Sequence, residues 1–462
     1  MSHKIPITES NPVVRELLSR WHTRDPWNYD PVQLAPLQLT ALQERFRERR
    51  PQLKVLNQRA GDEKIDVIGS LADVVPLLFS HTTYKSYPDS FVEKGRWDMM
   101  LRWMDTLSTR STRDTDLSGV RDLDGWMHAL HAAGHLAISS SGTTGRNSYL
   151  NMAPADREML KLSVQKSMEV ACGLQAENQF PYFWAGPRQG WFGGVEHHRL
   201  VHALYARPGD DHYISDEGVT LGQLDRLAAI RKAIVEGTAT PDLIAGAEKE
   251  AASQGNDMEA KIQSFIDRLY ARRDEPVFLY AGPSMIWRII EGGQARGIGE
   301  GAFHPGSIIN TGGGMKGFRG PATWEADAQR YFGLPREHWV NLYGMTELLA
   351  RFFNCKAGRY HVPPSIILLM LDKAGQQLLN RSEGVVEGRA GFMDLAVTGR
   401  WGGIISGDRL KVDFSPCPCG RPSASIMEIA RYKDLPEGDD KLSCAGQVDT
   451  YIRGFVGGDW QS

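Results

Sequence analysis

The sequence predicts an α/β fold with largely parallel sheets flanked by helices. Three observations carry that prediction. Val277-Phe-Leu-Tyr280 and Ser307-Ile-Ile-Asn310 have the short apolar runs of buried strands, and Pro283 to Gly292 between them has helical spacing. Glycine-rich turns follow strand-like segments at residues 139–148 and 312–317, where open α/β sheets receive ligands. The 462 residues are 41% apolar and 24% charged, ordinary values for a chain that buries a core. A length of this order accommodates about two to four domains.

Taken in order, residues 1–130 read as mostly helical. Val13 to Trp21, Pro36 to Phe46 and Gly95 to Met104 have helix-like apolar spacing, and Ser111 to Gly119 is a polar connection. The aromatic residues here read as packing. Met1 to Glu9 has no continuous apolar run, so no secretory leader is expected. The longest apolar run near the motifs, Ile366 to Leu371, is far too short to span a bilayer. A net charge of −3 excludes a general attraction to nucleic acid or anionic membrane. Five cysteines, few and odd in number, argue against a disulfide framework, and the expected location is cytoplasmic.

The organising stretch is Ser139, Ser140, Ser141, Gly142, Thr143, Thr144, Gly145 and Arg146, between the apolar segments 135–138 and 149–152. Glycines let backbone amides approach an anion, and hydroxyls add donors, so the loop suits a polyphosphate. It lacks the spacing and the lysine of a Walker A loop. The plainer reading is a flexible surface loop. A helix is expected from Pro154 through Cys172. Phe180 to Gly194 places aromatics among glycines, either as an apolar substrate wall or as core filler. Glu196-His-His198 follows; on a strand the two imidazoles would face opposite sides, so at most one lines a pocket. Residues 217–275 are helical and charged and read as a solvated insertion.

Ser307 to Thr311 leads into Gly312, Gly313 and Gly314, a ligand-contacting turn without the dinucleotide fingerprint. Trp339 to Glu347 then offers a strand ending in Tyr343-Gly344, followed by Thr346 and a carboxylate suited to magnesium.

These motifs resemble those of the adenylate-forming superfamily, the acyl-CoA synthetases and their relatives. Ser140-Ser-Gly-Thr-Thr-Gly145 is similar to its phosphate loop, with Arg146 where lysine is usual. Tyr343-Gly-Met-Thr-Glu347 matches its Tyr-Gly-x-Thr-Glu signature, and Ser406-Gly-Asp408 looks like its Thr-Gly-Asp. Gly312-Gly-Gly-Met-Lys316 is close to a segment of the bioluminescence acyl-protein synthetases. Cys417-Pro-Cys-Gly-Arg421 resembles a segment of phenylacetate–CoA ligase relatives. The five motifs occur in the family's order across residues 139–421.

The resemblance implies a large multi-layer adenylation domain over 1–430, and activation of a carboxylic acid as acyl-AMP with release of pyrophosphate. ATP and magnesium are the implied cofactors. Ser139 to Gly145 would hold the triphosphate, with Thr143 and Arg146 acting in catalysis. Gly312, Gly313, Gly314, Tyr343 and Gly344 would hold adenine, Asp408 the ribose, and Thr346 and Glu347 the magnesium side. The expected partners are a small carboxylic acid and a thiol or amine acceptor: CoA, a carrier protein or a partner enzyme. A homodimer is the expected assembly. A subunit activating acids for a reductase complex and a non-catalytic nucleotide-binding scaffold are the alternatives.

Cys355, His361, Cys417 and Cys419 could form a closed, structural Cys₃His zinc site; reduced thiols beside a surface histidine are the other reading. The synthetase resemblance also implies an acyl-acceptor cysteine near the C-terminus, for which Cys444 beside Lys441 stands, against a plain core thiol. Only 54 residues follow Asp408. Residues 431–462 are therefore expected to be a truncated lid, with Lys433 and Lys441 as its candidate lysines. A reduced lid, a partner-supplied lid and a longer natural chain all remain open.

Overall fold

The computed structural model describes residues 5–140, 147–218, 220–223, 257–312, 320–380 and 384–435, with 230, 233, 240 and 318 as isolated positions. A short strand β1 (Phe79–Ser80) and a hairpin of β2 (Leu136–Ser139) and β3 (Tyr149–Met152) come first. Next are β4 (Phe180–Pro187), β5 (Ala206–Ser215), β6 (Phe278–Tyr280), β7 (Ile308–Thr311), β8 (Trp339–Tyr343) and β9 (Phe352–Phe353). The last are β10 (Tyr360–His361), β11 (Ile366–Leu371), β12 (Val385–Asp394), β13 (Gly403–Asp413) and β14 (Ser425–Arg431).

The expected α/β architecture is present. One six-stranded sheet runs β5-β4-β6-β7-β8-β9, parallel through β8 and antiparallel at β9. Successive side chains of a strand face opposite sides, and a parallel sheet is covered on both. Tyr182, Phe278, Ile308 and Val340 face one core; their neighbours Phe183, Leu279, Ile309 and Trp339 face a second. Helices Pro154–Cys172 and Gly193–Tyr205 contribute Val164, Met168, Leu200 and Val201 to the first core. Helices Pro283–Ala295 and Trp324–Phe332 cover the second.

Residues 257–271 are helical, and they correct the solvated-insertion reading where they are described. Ile262, Phe265, Ile266 and Leu269 recur at i, i+3, i+4 and i+7, and that stripe is buried in the second core.

The second large sheet, β10-β14-β13-β12-β11, is antiparallel, with β1 added beside β13 at Phe79↔Ile404. The N-terminal helices wrap it. Pro12–Ser19 and Pro31–Arg49 start on Asn11 and Asp30, whose side chains accept the first free amides, and each has proline at its first position. The second helix therefore begins five residues before the Pro36 expected from spacing. The third expected helix is Trp97–Asp105. Trp21 Nε1 donates to Ser365 Oγ (3.2 Å) and Arg45 Nε to the Leu395 carbonyl (2.9 Å). Among the described residues no helix is long and apolar enough to cross a membrane.

Candidate functional site

β7 and β8 are parallel neighbours, with Thr311 opposite Asn341, so their carboxyl ends lie side by side. A Cβ on Gly312 would stand 3.2 Å from the Leu342 carbonyl, which is why the first turn takes a glycine. Gly313 and Gly314 lie outside the described residues.

The turn Tyr343 to Glu347 is held from three sides. Arg351 passes beneath it and donates Nη1 to the carbonyls of Leu348 (3.0 Å) and Met345 (3.4 Å). A side chain on Gly344 would meet that guanidinium at 2.9 Å. Burial lowers the Arg351 pKa to about 10. Arg400 holds the far end, donating Nη2 to the Glu347 carbonyl at 2.8 Å. Thr346 abuts Gly193, where a Cβ would come 2.9 Å from Thr346 Oγ1, so the start of helix Gly193–Tyr205 faces the turn.

Tyr343 and Asp408, 65 residues apart and in different sheets, meet directly. The Tyr343 hydroxyl donates to Asp408 Oδ2 at 2.8 Å, and Arg431 Nε stands 3.7 Å from Oδ1. Burial, reinforced by the Asp408 charge, holds the tyrosine pKa well above its ordinary value. The Glu347 carboxyl is also raised by burial, while Arg400 and Lys85 pull it down and Asp408 pushes it further up. One region thus gathers two carboxyls, a tyrosine and basic residues.

Ser139 and Ser140 form the base of the glycine–hydroxyl loop. Ser139 N donates to the Trp191 carbonyl (2.6 Å), Ser140 N to the Ser148 carbonyl (2.9 Å), and Ser148 N to Ser140 Oγ (3.0 Å). Ser141, Gly142, Thr143, Thr144, Gly145 and Arg146 lie outside the described residues. The base is tied to the second sheet as well: Arg400 Nη1 donates to the Asn151 carbonyl (3.1 Å), and Asp156 accepts from the Thr398 and Gly399 amides (2.6 and 3.0 Å). Loop base, helix start and signature turn therefore belong to one assembly. The sequence reading did not single out Arg351, Arg400 or Lys85; it gave Asp156 as part of the helix start Ala153–Asp156, where the side chain accepts from Ala153 N (3.0 Å). The available signal was an isolated cation inside an apolar run, as in Leu348-Leu-Ala-Arg351-Phe-Phe353 and Val397-Thr-Gly-Arg400-Trp401.

His197 and His198 lie on helix Gly193–Tyr205, not on a strand, and both are buried. The strand expectation fails because Val195, Leu200, Val201 and Leu204 recur at helical spacing. The Tyr182 hydroxyl and His198 Nδ1 are 2.9 Å apart, and burial drops both histidine pKa values to about 3. They are neutral packing groups at pH 7, not proton shuttles. The aromatic stretch is largely packing too. Trp184 stacks on His198 (5.4 Å) and on Tyr280 (4.4 Å), and Trp191 donates to Asp124 Oδ1 (3.1 Å).

Cys355, His361, Cys417 and Cys419 come together, their donor atoms all within 4.8 Å of one another. Two turns of the same build present them. In Cys355-Lys-Ala-Gly-Arg359 the cysteine N donates to the arginine carbonyl (2.9 Å) and the glycine N to the cysteine carbonyl (2.8 Å). Cys417-Pro-Cys-Gly-Arg421 repeats both bonds at 2.9 and 2.8 Å. Gly358 and Gly420 each take positive φ, 73° and 98°.

The donor set fits zinc. Zn–S bonds of about 2.3 Å at the tetrahedral angle put sulfurs about 3.8 Å apart, and Cys355 Sγ and Cys417 Sγ are 3.8 Å apart. Cys419 Sγ lies 3.3 Å from His361 Nε2, while Ser423 Oγ fixes Nδ1 at 2.9 Å, the outer bond expected of a ligating imidazole. Cys355, His361 and Cys417 are buried and Cys419 is partly buried, as in a closed structural site. The pair Arg421–Asp25 (2.8 Å) ties the second turn to the N-terminal region. Cys172 bonds the Met168 carbonyl and burial pushes its thiol up to about 12, so it is inert. Cys444 and Lys441 lie outside the described residues.

No protein-family model matches the chain, and neither does any curated protein. Solved structures do match. An open conformation of 2-hydroxyisobutyryl-CoA ligase, in complex with 2-HIB-AMP and CoA, is 12% identical, with a TM-score of 0.54 over 89% of this chain and 74% of that one. The same ligase in its thioesterification state gives 0.43 at 13% identity over 76% and 70%. A McyG A-PCP structure complexed with phenylalanyl-adenylate gives 0.35 at 11% identity over 66% and 49%. The fold assignment rests on the first of these. The chain has the adenylation-domain fold.

Proposed function

We propose that this protein, built on the adenylation-domain fold, uses ATP to activate a carboxylic acid as its acyl-adenylate and passes the acyl group to a thiol or an amine. The observation that carries the reading is the meeting of Tyr343 and Asp408 beside Glu347, at the carboxyl edge of the parallel sheet. An ionised carboxylate has about four acceptor positions on its two oxygens, the kind of group that takes ribose hydroxyls. The Tyr343 ring, Gly344 and the glycines 312–314 would flank adenine. Ser139 to Gly145 and Arg146 would hold the triphosphate, with Thr143 acting at the transferring phosphorus.

A carboxyl raised by burial gains from a cation ligand, and on that ground Glu347, next to Thr346, suits magnesium. When bound, the metal would offset charge on the phosphates. The protein's share is orientation: Arg351 and Arg400 fix the turn that aims Glu347, and the hairpin fixes the loop base. Zinc at Cys355, His361, Cys417 and Cys419 would be structural. The thiol turns and the motif order favour the phenylacetate–CoA ligase and acyl-protein synthetase branch, with residues 1–430 as the adenylation unit.

The test is carboxylate-dependent exchange of labelled pyrophosphate into ATP across aryl, fatty and hydroxy acids. Exchange with one acid class, lost in Glu347→Gln, is the expected result. A folded protein that binds ATP but exchanges with no acid would overturn the reading.

A further inference from the structure

Arg351 commits only one of its guanidinium nitrogens to protein. Nη1 donates to the carbonyls of Leu348 (3.0 Å) and Met345 (3.4 Å). Among the described residues, Nε and Nη2 have no hydrogen-bond partner and no carboxylate pairs with the group. At 9% exposure this is a desolvated cation without a counter-ion, a costly arrangement. The buried Arg45 shows the usual solution, meeting Glu9 at 2.5 Å and Glu48 at 3.2 Å. Asp394, the carboxylate whose charge reaches Arg351, is spent elsewhere. It accepts the amides of Leu349 (2.8 Å), Ala350 (3.4 Å) and Ala396 (3.0 Å).

The side chain is anchored at both ends. Arg351 N donates to Ser163 Oγ (2.7 Å), and Nη1 is held at the signature turn. Over it lies Gly344, which is exposed; a Cβ there would meet Nη1 at 2.9 Å, Cδ at 3.0 Å and Cζ at 3.4 Å. The missing side chain is what lets a ligand on the turn come against the guanidinium. Nε and Nη2 form one of the two-pronged edges by which arginine matches a carboxylate. The attacking carboxylate is a poor occupant, because an ion pair on it would favour the bound acid over the transition state. A second carboxylate on the same molecule meets no such conflict.

We infer that Arg351 is a specificity-determining residue, its Nε–Nη2 edge pairing with a second carboxylate of the substrate, which is therefore a short dicarboxylic acid. The assignment rests on the adenylation reading and names its substrate class. One carboxylate oxygen bonds to the α-phosphorus, the bond from that phosphorus to the bridging oxygen breaks, and pyrophosphate leaves with the electron pair. The other carboxylate keeps its charge, on Arg351, throughout. The acid is short because the guanidinium lies directly beneath Gly344, three positions before Glu347.

The experiment extends the exchange panel to malonate, succinate and glutarate, each beside its monomethyl ester, which keeps the carbon chain and removes one charge. It measures kcat/KM for exchange, ATP binding by equilibrium dialysis and thermal melts, for wild type, Arg351→Met and Arg351→Lys. Wild type should prefer its best diacid over the matching monoester about 100-fold. Arg351→Lys should keep about tenfold of that preference, and Arg351→Met about threefold or less. Damage to the turn alone would slow diacid and monoester together, so an unchanged ratio in Arg351→Met would overturn the assignment. A wild type that uses monoesters or simple monoacids as well as diacids would overturn it too, and in both cases the exchange itself keeps the adenylation reading standing. If Arg351→Met does not fold, the ratio in Arg351→Lys decides. An unchanged ratio with ATP binding weakened about tenfold would give the edge to a nucleotide phosphate and end the substrate assignment. If wild type exchanges with no acid, yet a diacid raises its melting temperature and not that of Arg351→Lys, the adenylation reading falls and the carboxylate site survives. If no acid exchanges or stabilises, both fall.

Discussion

At the carboxyl edge of the parallel sheet, Arg351 and Arg400 grip backbone carbonyls, and the Glu347 carboxyl stays raised by burial. In the thiol cluster the donors face one another, with Cys355 and Cys417 at 3.8 Å and Cys419 and His361 at 3.3 Å. The first arrangement carries an electrostatic cost that a cationic ligand would relieve; the second sets four donors close enough to share one metal ion. The edge should therefore govern rate and the cluster should govern stability.

The largest expected effect breaks the cluster. Cys417→Ser should lose bound zinc, read by elemental analysis, and lower Tm by about 10 °C or more, since structural metal sites contribute folding energy directly. Metal-free protein that melts as the native form does would end the structural assignment. Breaking the edge should do the reverse. On the adenylation reading, Asp408→Asn should slow pyrophosphate exchange about 100-fold while shifting Tm by only a few degrees, because a charged acceptor proposed for the nucleotide is lost. A large melt shift with normal exchange would exchange the two roles.

A third measurement concerns the imidazoles behind the sheet. His197 and His198 titrate at about 3 when folded, against about 6.5 when unfolded. Between those values the unfolded chain binds more protons, so their stabilisation is complete above about pH 6.5 and is lost as pH falls toward 3. Each should contribute up to about 1.4 kcal/mol per pH unit to that slope. Denaturant melts at pH 7, 6 and 5 should show it, and His198→Phe should remove about half of it, with exchange at pH 7–8 keeping its pH profile. The smallest effect tests the likeness of the two thiol turns. Gly358 and Gly420 both take positive φ, and the space a Cβ would fill at each is open, so alanine at either should cost about 1–2 kcal/mol of backbone strain and nothing from crowding. Unequal costs would show that the turns share a sequence pattern without sharing a structural burden.

Most of the edge was legible in the sequence because its chemistry is local. Gly312 and the Tyr343–Glu347 turn each act within a few residues, and short motifs report them. The thiol cluster was legible through its two cysteine turns. The burial of the helix at 257–271 was missed because charged residues around Ile262, Phe265 and Ile266 masked its apolar stripe. The histidines were placed on a strand because adjacent glycines and aromatics obscured a helix start at Gly193. Arg351, Arg400 and Lys85 escaped because their meaning depends on partners far along the chain, and a single sequence states no such pairing.

The N-terminal wrap adds a consequence in time. Trp21, Arg45 and Asp25 bond Ser365, Leu395 and Arg421 across separations of 344, 350 and 396 residues. At synthesis rates of about 5–20 residues per second, these helices leave the ribosome about 20–80 s before their partners exist. Their apolar faces must wait in solution or in the hold of a chaperone. Ribosome-stalled chains ending near residue 350 should therefore be cut by protease within residues 12–49, and chains long enough to release residue 435 should resist.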